Sequence, residues 1–261
     1  MDTHKTPKIA IIWFPGSNCE EESKRACIAA GMEADIVRWN TKEDLDKYDA
    51  FFIGGGWSYE DRIRAGAIAA KQPIMKKIKE AAEKGKVVIG VCNGAQILIE
   101  TGIIPGLSGK IQMALAPNKN PKISGYYNTW VHIKLTSQKK TAFTTDILEI
   151  MKVPIAHGEG RFTTADKGLI KELEANGQIL FRYCDSAGNI DNDWPVNPNG
   201  AVENIAGICN KTGNVLALMP HPERASWNKL LPYYEQHKID DCESASNNIK
   251  IFESMKKYTG K

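Results

Sequence analysis

This 261-residue chain has no apolar run long enough to cross a bilayer. Its longest, within Lys8-Ile-Ala-Ile-Ile-Trp-Phe14, falls far short of the roughly 20 residues a spanning helix needs. The opening segment, Met1-Asp-Thr-His-Lys-Thr-Pro7, lacks the apolar core of a secretory signal, so a cytoplasmic location is the expectation. The six cysteines (19, 27, 92, 184, 209 and 242) include no Cys-x-x-Cys pair, and no histidine cluster accompanies them. That spacing argues against a zinc site, and a reducing compartment argues against a disulfide framework. Net charge is only +3, with both signs interleaved, which leaves no electrostatic case for nucleic acid. No Walker-type or ATP-grasp phosphate loop occurs, so nothing here could activate a substrate with ATP. Repeats, low-complexity tracts and linkers are also missing, and residues 8–258 read as one domain.

A hydrophobic content of 42% and a charged content of 25% fit a soluble chain with a sizeable core. Strand and helix signals alternate. Strands are expected at 8–13, 34–38, 48–53 and 86–91, and helices at 20–31, 59–70 and 74–84. The strands are continuous and Ile/Val-rich, the mark of a parallel sheet covered on both faces. The middle differs. Asn128–Leu135 alternates polar and apolar, as a half-exposed antiparallel strand does. Short strands follow at 153–157 and 178–183, with a helix over 166–176 between them. A hairpin joins 205–210 to 215–219 through Lys-Thr-Gly-Asn, and an amphipathic helix over 244–258 closes the chain. Residues 117–121 and 185–200 read as loop-rich insertions.

Lys86-Val-Val-Ile-Gly-Val-Cys92-Asn-Gly-Ala-Gln96 carries the strongest chemical signal. A cysteine at a tight strand-to-helix turn has an exposed sulfur near a helix N-terminus. Free N–H groups and the helix dipole there favour an anion. Gly90 and Gly94 permit the strained backbone of such a nucleophile elbow. A lone cysteine is more often packing, so the remaining strand ends matter. Cys19, Cys27 and Cys209 read as core or surface thiols.

Ligands of open parallel sheets bind beyond the carboxyl ends of strands. Gly54-Gly55-Gly56 follows the third strand and can aim backbone N–H groups at a ligand, or serve only as a mobile turn. Met219-Pro-His-Pro-Glu-Arg224 follows the hairpin. In an extended, proline-flanked segment His221 and Glu223 project to one side, and a carboxylate beside an imidazole raises its basicity. The alternative is a surface histidine in a proline-rich turn. Nucleophile, base and oxyanion donors would all be supplied if these three strand ends met.

The chain resembles the class I glutamine amidotransferases and, among them, the purine-biosynthetic glutaminase subunits of phosphoribosylformylglycinamidine synthase. The matching segments are Phe14-Pro-Gly-Ser-Asn-Cys-Glu20, Gly55-Gly-Trp-Ser-Tyr-Glu-Asp-Arg62 with Gly66-Ala-Ile-Ala69, and Gly90-Val-Cys-Asn-Gly-Ala-Gln96. Then come His157-Gly-Glu-Gly-Arg-Phe162, Asn197-Pro-Asn-Gly200 with Asn204-Ile-Ala-Gly207, and Met219-Pro-His-Pro-Glu-Arg224. Departures are Glu60 where the family usually has glycine, Ala95 where it has an aromatic, Gly54 where proline is common, and a long segment around 105–125.

The resemblance implies a flavodoxin-like α/β fold with a mostly parallel central sheet, helices on both faces and an antiparallel extension. It implies that Cys92 attacks the glutamine amide, His221 moves the protons and Glu223 holds His221. Backbone N–H groups of Asn93, Gly55 and Gly56 would hold the oxyanion. Gln96 and the backbone of His157, Gly158 and Glu159 would line the glutamine pocket, with His157 a substrate contact rather than a base. Arg62, Arg161 and Arg224 read as solvated. No cofactor or metal is expected in this chain. ATP and magnesium would belong to a large synthetase subunit, joined by a small third subunit, with ammonia passing through a protein channel and glutaminase activity rising on assembly. The competing readings are an amidotransferase subunit for another acceptor and a non-catalytic glutamine-sensing scaffold.

Overall fold

The computed structural model describes residues 5–147, 150–232 and 241–260. Its strands in chain order are β1 (Lys8–Trp13), β2 (Glu33–Arg38), β3 (Ala50–Ile53), β4 (Val87–Val91), β5 (Ala114–Ala116), β6 (Tyr127–Leu135), β7 (Met151–His157), β8 (Arg161–Thr163), β9 (Ile179–Cys184), β10 (Ile205–Cys209) and β11 (Val215–Leu218). The α-helices are α1 (Glu20–Ala29), α2 (Pro73–Glu83), α3 (Asn93–Glu100), α4 (Lys167–Ala175) and α5 (Lys250–Thr259). Nine strands form one sheet in the order β2-β1-β3-β4-β11-β10-β9-β6-β7. From β2 to β11 every pairing is parallel. From β11 to β7 every pairing is antiparallel.

Burial explains the division. Ile9, Ala10, Ile11 and Ile12 are successive residues of β1, and all are buried, so both faces of the parallel half are covered. β6 alternates instead: Val131 and Ile133 are buried while His132 and Lys134 are half-buried, the period of a strand with one core-facing side. β10 and β11 form the expected hairpin around Asn210–Asn214. Asn210 Oδ1 accepts from the Gly213 and Val215 N–H groups, which pins the turn.

α4 begins where the sequence predicts, because the Asp166 carboxylate caps the Gly168 and Leu169 N–H groups. α5 starts later than the expected 244. Ser246 caps a short 3₁₀ turn over Asn247–Ile249, and the α-helix begins at Lys250. It docks on the sheet through Phe252, whose ring stacks on Phe52 with centroids 6.0 Å apart. Burying each such side chain contributes about 2–3 kcal/mol.

The helix expected over 59–70 is not formed. Tyr59, Glu60, Asp61 and Ile63 all have positive φ, and the segment forms only short 3₁₀ turns over Ser58–Asp61 and Ala69–Lys71. The segment gives up helical hydrogen bonds and reaches the end of β4 instead. β5 and β8 carry no clear sequence signal. They are three-residue strands that pair only with each other. No helix among the described residues is long and apolar enough to cross a membrane.

Candidate active site

β1, β3, β4 and β11 end on one edge of the sheet, and each hands the chain to a loop that contributes to one cavity of about 310 Å³. Cys92 stands between β4 and α3 with φ 53° and ψ −107°, the strained elbow the sequence predicts. Its N–H donates to the Leu218 carbonyl at 2.8 Å, which ties the elbow to β11. Gly94 is what lets α3 begin there. A Cβ on Gly94 would lie 1.9 Å from the Ile53 carbonyl oxygen, so only glycine fits against the end of β3. The expected exposed sulfur needs correction: Cys92 is only 5% exposed and opens only toward the cavity, which it lines. Its Sγ lies 3.7 Å from the Ala156 carbonyl oxygen.

His221 arrives from β11 through Met219 and Pro220, and its N–H bonds the Pro154 carbonyl of β7. Its Nδ1 is 2.6 Å from Glu223 Oε1. The route to that pairing differs from the extended one expected. Pro222 opens a 3₁₀ turn over Pro222–Ala225, a position its fixed φ suits, and the turn brings Glu223 under the ring. Glu223 is fully buried and the cavity sees only His221. Burial opposes charge on the His221 ring. The Glu223 carboxylate, Cys92 and Cys19 outweigh it and hold the ring well above its ordinary pKa. The Cys92 and Cys19 side chains both lie close enough to this ring to favour its charge. Nδ1 is taken by Glu223, so Nε2 is the nitrogen left for the sulfurs.

The glycine loop is fastened from two sides. The Asn18 N–H donates to the Gly55 carbonyl, and the Ser58 N–H donates to Asn93 Oδ1. Asn93 also donates through Nδ2 to Asp61 and to Gln96 Oε1. Gln96 Nε2 in turn donates to the Glu159 carbonyl at 2.7 Å. Gln96 and the Asn93 side chain are therefore braces between loops, with no free polar atom to spare in this arrangement. Gly56 lines the cavity, while Gly55 sits behind it against His221 and Cys92.

His157, Gly158 and Glu159 line the opposite wall. Their three carbonyls are engaged within the protein. Asn118 Nδ2 and Asn118 N donate to those of His157 and Gly158, and Gln96 donates to that of Glu159. What remains toward the cavity is the Glu159 side chain, one of whose oxygens accepts from the Ala65 N–H. The backbone contacts expected of this loop are to that extent spoken for. The segment around 105–125 has a structural task, since Asn118 also bonds His157 Nδ1 at 3.1 Å. Burial, with the nearby His221 charge, lowers the His157 pKa to about 3, so the ring is neutral. That is unsuited to a base and agrees with its reading as a contact.

Several residues of the cavity escaped the sequence reading. Cys19 is not an ordinary core or surface thiol. It is buried, lines the cavity and accepts from Arg224 Nη2 at 3.3 Å. It follows β1, so the strand-end rule that found Cys92 points to it equally. Asp61 lines the floor, and burial together with Glu159 raises its pKa to about 6, against the hydrogen bond from Asn93. Arg224 is held between Cys19 and Glu22 rather than solvated. Arg62 is exposed, as expected, whereas Arg161 is half-buried and donates through Nε to the Pro117 carbonyl. Trp57 and Tyr126 pack with ring centroids 5.9 Å apart, and both line the cavity.

A sheet edge that joins a strained cysteine to a His–Glu pair defines a class of protein. The chain belongs to the CobB/CobQ-like glutamine amidotransferase domain family, whose pattern matches residues 6–259. It is similar to the phosphoribosylformylglycinamidine synthase subunit PurQ of Methanothrix thermoacetophila, 45% identical over 260 residues that span 96% of this chain and 97% of that protein. The subunit of the same name from Pyrococcus horikoshii is 40% identical, over 97% of this chain and 99% of that one. Among solved structures, PurLQS from Thermotoga maritima matches with a TM-score of 0.75 at 31% identity, over 97% of this chain and 99% of that chain. A glutamine amidotransferase from the same organism, with a TM-score of 0.50 at 16% identity over 98% of this chain and 95% of that one, shares the fold alone.

Proposed function

We propose that this chain is the glutaminase subunit of a phosphoribosylformylglycinamidine synthase. On this reading residues 8–258 are one type 1 glutamine amidotransferase domain working in the cytoplasm. It serves a large ATP-dependent synthetase and a small third subunit, in keeping with the PurLQS likeness. The observation that carries the chemistry is the meeting of Cys92, His221 and Glu223 around one cavity.

The steps follow from the residues. The Cys92 sulfur, its proton passed to His221, attacks the carboxamide carbon of glutamine, and the C=O electron pair moves onto oxygen. On this reading the Asn93, Gly55 and Gly56 N–H groups receive that oxyanion, and Gly56 lines the cavity where it would form. Each such donor is worth about 3 kcal/mol in the transition state. The charged His221 gives its proton to the nitrogen as the C–N bond breaks, and ammonia leaves. Now neutral, the ring takes a proton from water, which attacks the thioester and returns the sulfur. Glu223 holds the ring through Nδ1 in both charge states. Asp61 and Glu159, two carboxylates that both line the cavity and act on one another, suit the α-ammonium of the substrate. Gln96 and His157 keep the cavity wall in shape. The chain's own residues supply this hydrolysis. ATP and magnesium belong to the partner that consumes the ammonia.

The test is labelling with a glutamine-mimicking electrophile in the assembled complex. Stoichiometric modification at Cys92, lost in Cys92→Ser and blocked by glutamine, is the expected result. Cys92→Ala should also abolish glutamine-dependent amidation of formylglycinamide ribonucleotide while added ammonium still supports it. No labelling in the complex would leave a scaffold. Recovery of a different synthetase with the native protein would overturn the acceptor.

A further inference from the structure

Cys19 has no place in the hydrolysis just described, yet it is buried beside the nucleophile. Cys19 Sγ, a ring nitrogen of His221 and a carboxylate oxygen of Glu223 lie within 4.8 Å of one another. Cys92 approaches the same ring. A Cβ placed on Gly55 would touch all three groups: His221 Cε1 at 2.6 Å, Cys19 Sγ at 2.9 Å and Cys92 Cβ at 3.5 Å. Two cysteines and an imidazole thus surround one point, and all three line the cavity.

We propose that Cys19, Cys92 and His221 form a reversible inhibitory site for a thiophilic divalent cation, with zinc as its natural occupant. Zinc takes thiolate sulfur at about 2.3 Å and imidazole nitrogen at about 2.0 Å, so ligand atoms around one tetrahedral ion stand roughly 3.3–3.8 Å apart. Cys19 Sγ and a ring nitrogen of His221, already within 4.8 Å, reach that spacing by shifts of about 1 Å, and Cys92, whose Cβ lies against the same point as Cys19 Sγ and the ring, brings its sulfur in by turning about its Cα–Cβ bond. Glu223 is better placed as the orienting carboxylate than as a ligand. Its Oε1 is engaged at Nδ1, the arrangement that fixes the tautomer of a metal-bound histidine and leaves Nε2 for the ion. The fourth position faces the cavity and would take water. On binding, each thiol releases its proton and His221 releases the one on Nε2, so no oxidant is required. Arg224 must let go of Cys19. It retains Glu22, whose Oε1 lies 3.5 Å from Nη2 at the protein surface.

The consequence is direct. An ion on Cys92 and His221 removes nucleophile and base together, and it fills the space where the substrate carboxamide reacts. Zinc and glutamine therefore exclude one another. Sequence spacing gave no hint of this site. The ligands come from three loops at residues 19, 92 and 221, and only the shared sheet edge unites them.

The experiment measures binding directly, so it reads separately from glutaminase activity. The full chain, kept reduced by a non-chelating phosphine, is dialysed against zinc buffered at defined free concentrations. The expected result is one zinc per chain. Cys19→Ser and Cys92→Ser should each weaken it by about tenfold or more, Cys242→Ser should leave it unchanged, and glutamine should displace it. Cadmium provides a check without variants: its ultraviolet charge-transfer band should report two thiolates. Unchanged zinc affinity in a folded Cys19→Ser protein, a cadmium band worth one thiolate, or failure of the wild type to bind would overturn the proposal. Inactivity toward glutamine with the zinc isotherm intact would instead count against the preceding functional reading.

Discussion

Replacing Gly55 by alanine adds one methyl group and tests the site geometry. Gly55 has no positive φ, so alanine meets no backbone strain and the effect is steric. The new Cβ would lie 2.6 Å from His221 Cε1, about 0.8 Å inside the 3.4 Å at which ordinary contact begins. The ring has little freedom to yield. Its Nδ1 is held by Glu223 at 2.6 Å and its backbone N–H by Pro154 at 2.9 Å. The ring therefore shifts relative to Cys92 by a large part of that distance. Misplacing a reacting group by about 1 Å costs roughly 100-fold in rate, or about 2.7 kcal/mol of transition-state stabilisation. Overpacking of this kind lowers stability by about 1–3 kcal/mol, within what a domain of typical stability, about 5–15 kcal/mol, can absorb. Gly54→Ala is the matched control, because its Cβ would meet nothing nearer than Ser23 Oγ at 3.5 Å. Glutamine hydrolysis by the assembled complex gives kcat/KM, and a thermal melt of each variant confirms folding. Activity of Gly55→Ala within about threefold of wild type would refute the reasoning, as would an equal loss in Gly54→Ala.

Glu223→Gln should lower kcat by about 100-fold or more, since the ring loses the carboxylate that keeps it oriented and charged. The same charge stabilises the fold below the ordinary histidine pKa of about 6.5 and is lost as pH rises through the higher folded value. The alkaline decline of the wild-type melting temperature should therefore flatten in this variant. His157 acts with the opposite sign. Its folded pKa is about 3, so its contribution is complete above the ordinary 6.5 and is lost as pH falls toward 3. Denaturant midpoints of His157→Gln should depend less on pH across that acid window than those of the wild type. Asp61 loses its charge as pH falls through about 6. The KM for glutamine should rise there in the wild type and stay level in Asp61→Asn, where it is already raised.

Local patterns carried most of the scaffold. Continuous apolar runs mark β1, β3 and β4 because both faces of the parallel half are buried, and alternation marks β6 because one face is not. The Cys92 elbow was legible for a similar reason: Gly90 and Gly94 flank it because side chains there would strike neighbouring backbone. The helix expected over 59–70 failed where tertiary contacts outweighed propensity. Asp61 and Ser58 bond Asn93 at the far side of the site, and Tyr59, Glu60 and Asp61 adopt positive φ to reach it. β5 and β8 stayed hidden because three-residue strands are too short for any period to show.

By itself the amino-acid order determined the alternation of strands and helices, the elbow at Cys92 and the nearness of His221 to Glu223, all products of interactions a few residues apart. Only the folded sheet decided that Cys19, Asp61 and Arg224 share the cavity, that the carbonyls of 157–159 are already bonded, and that two sulfurs face one imidazole. Those are meetings of loops from β1, β3, β4, β5, β7 and β11. Strand order sets them, and no spacing along the chain records it.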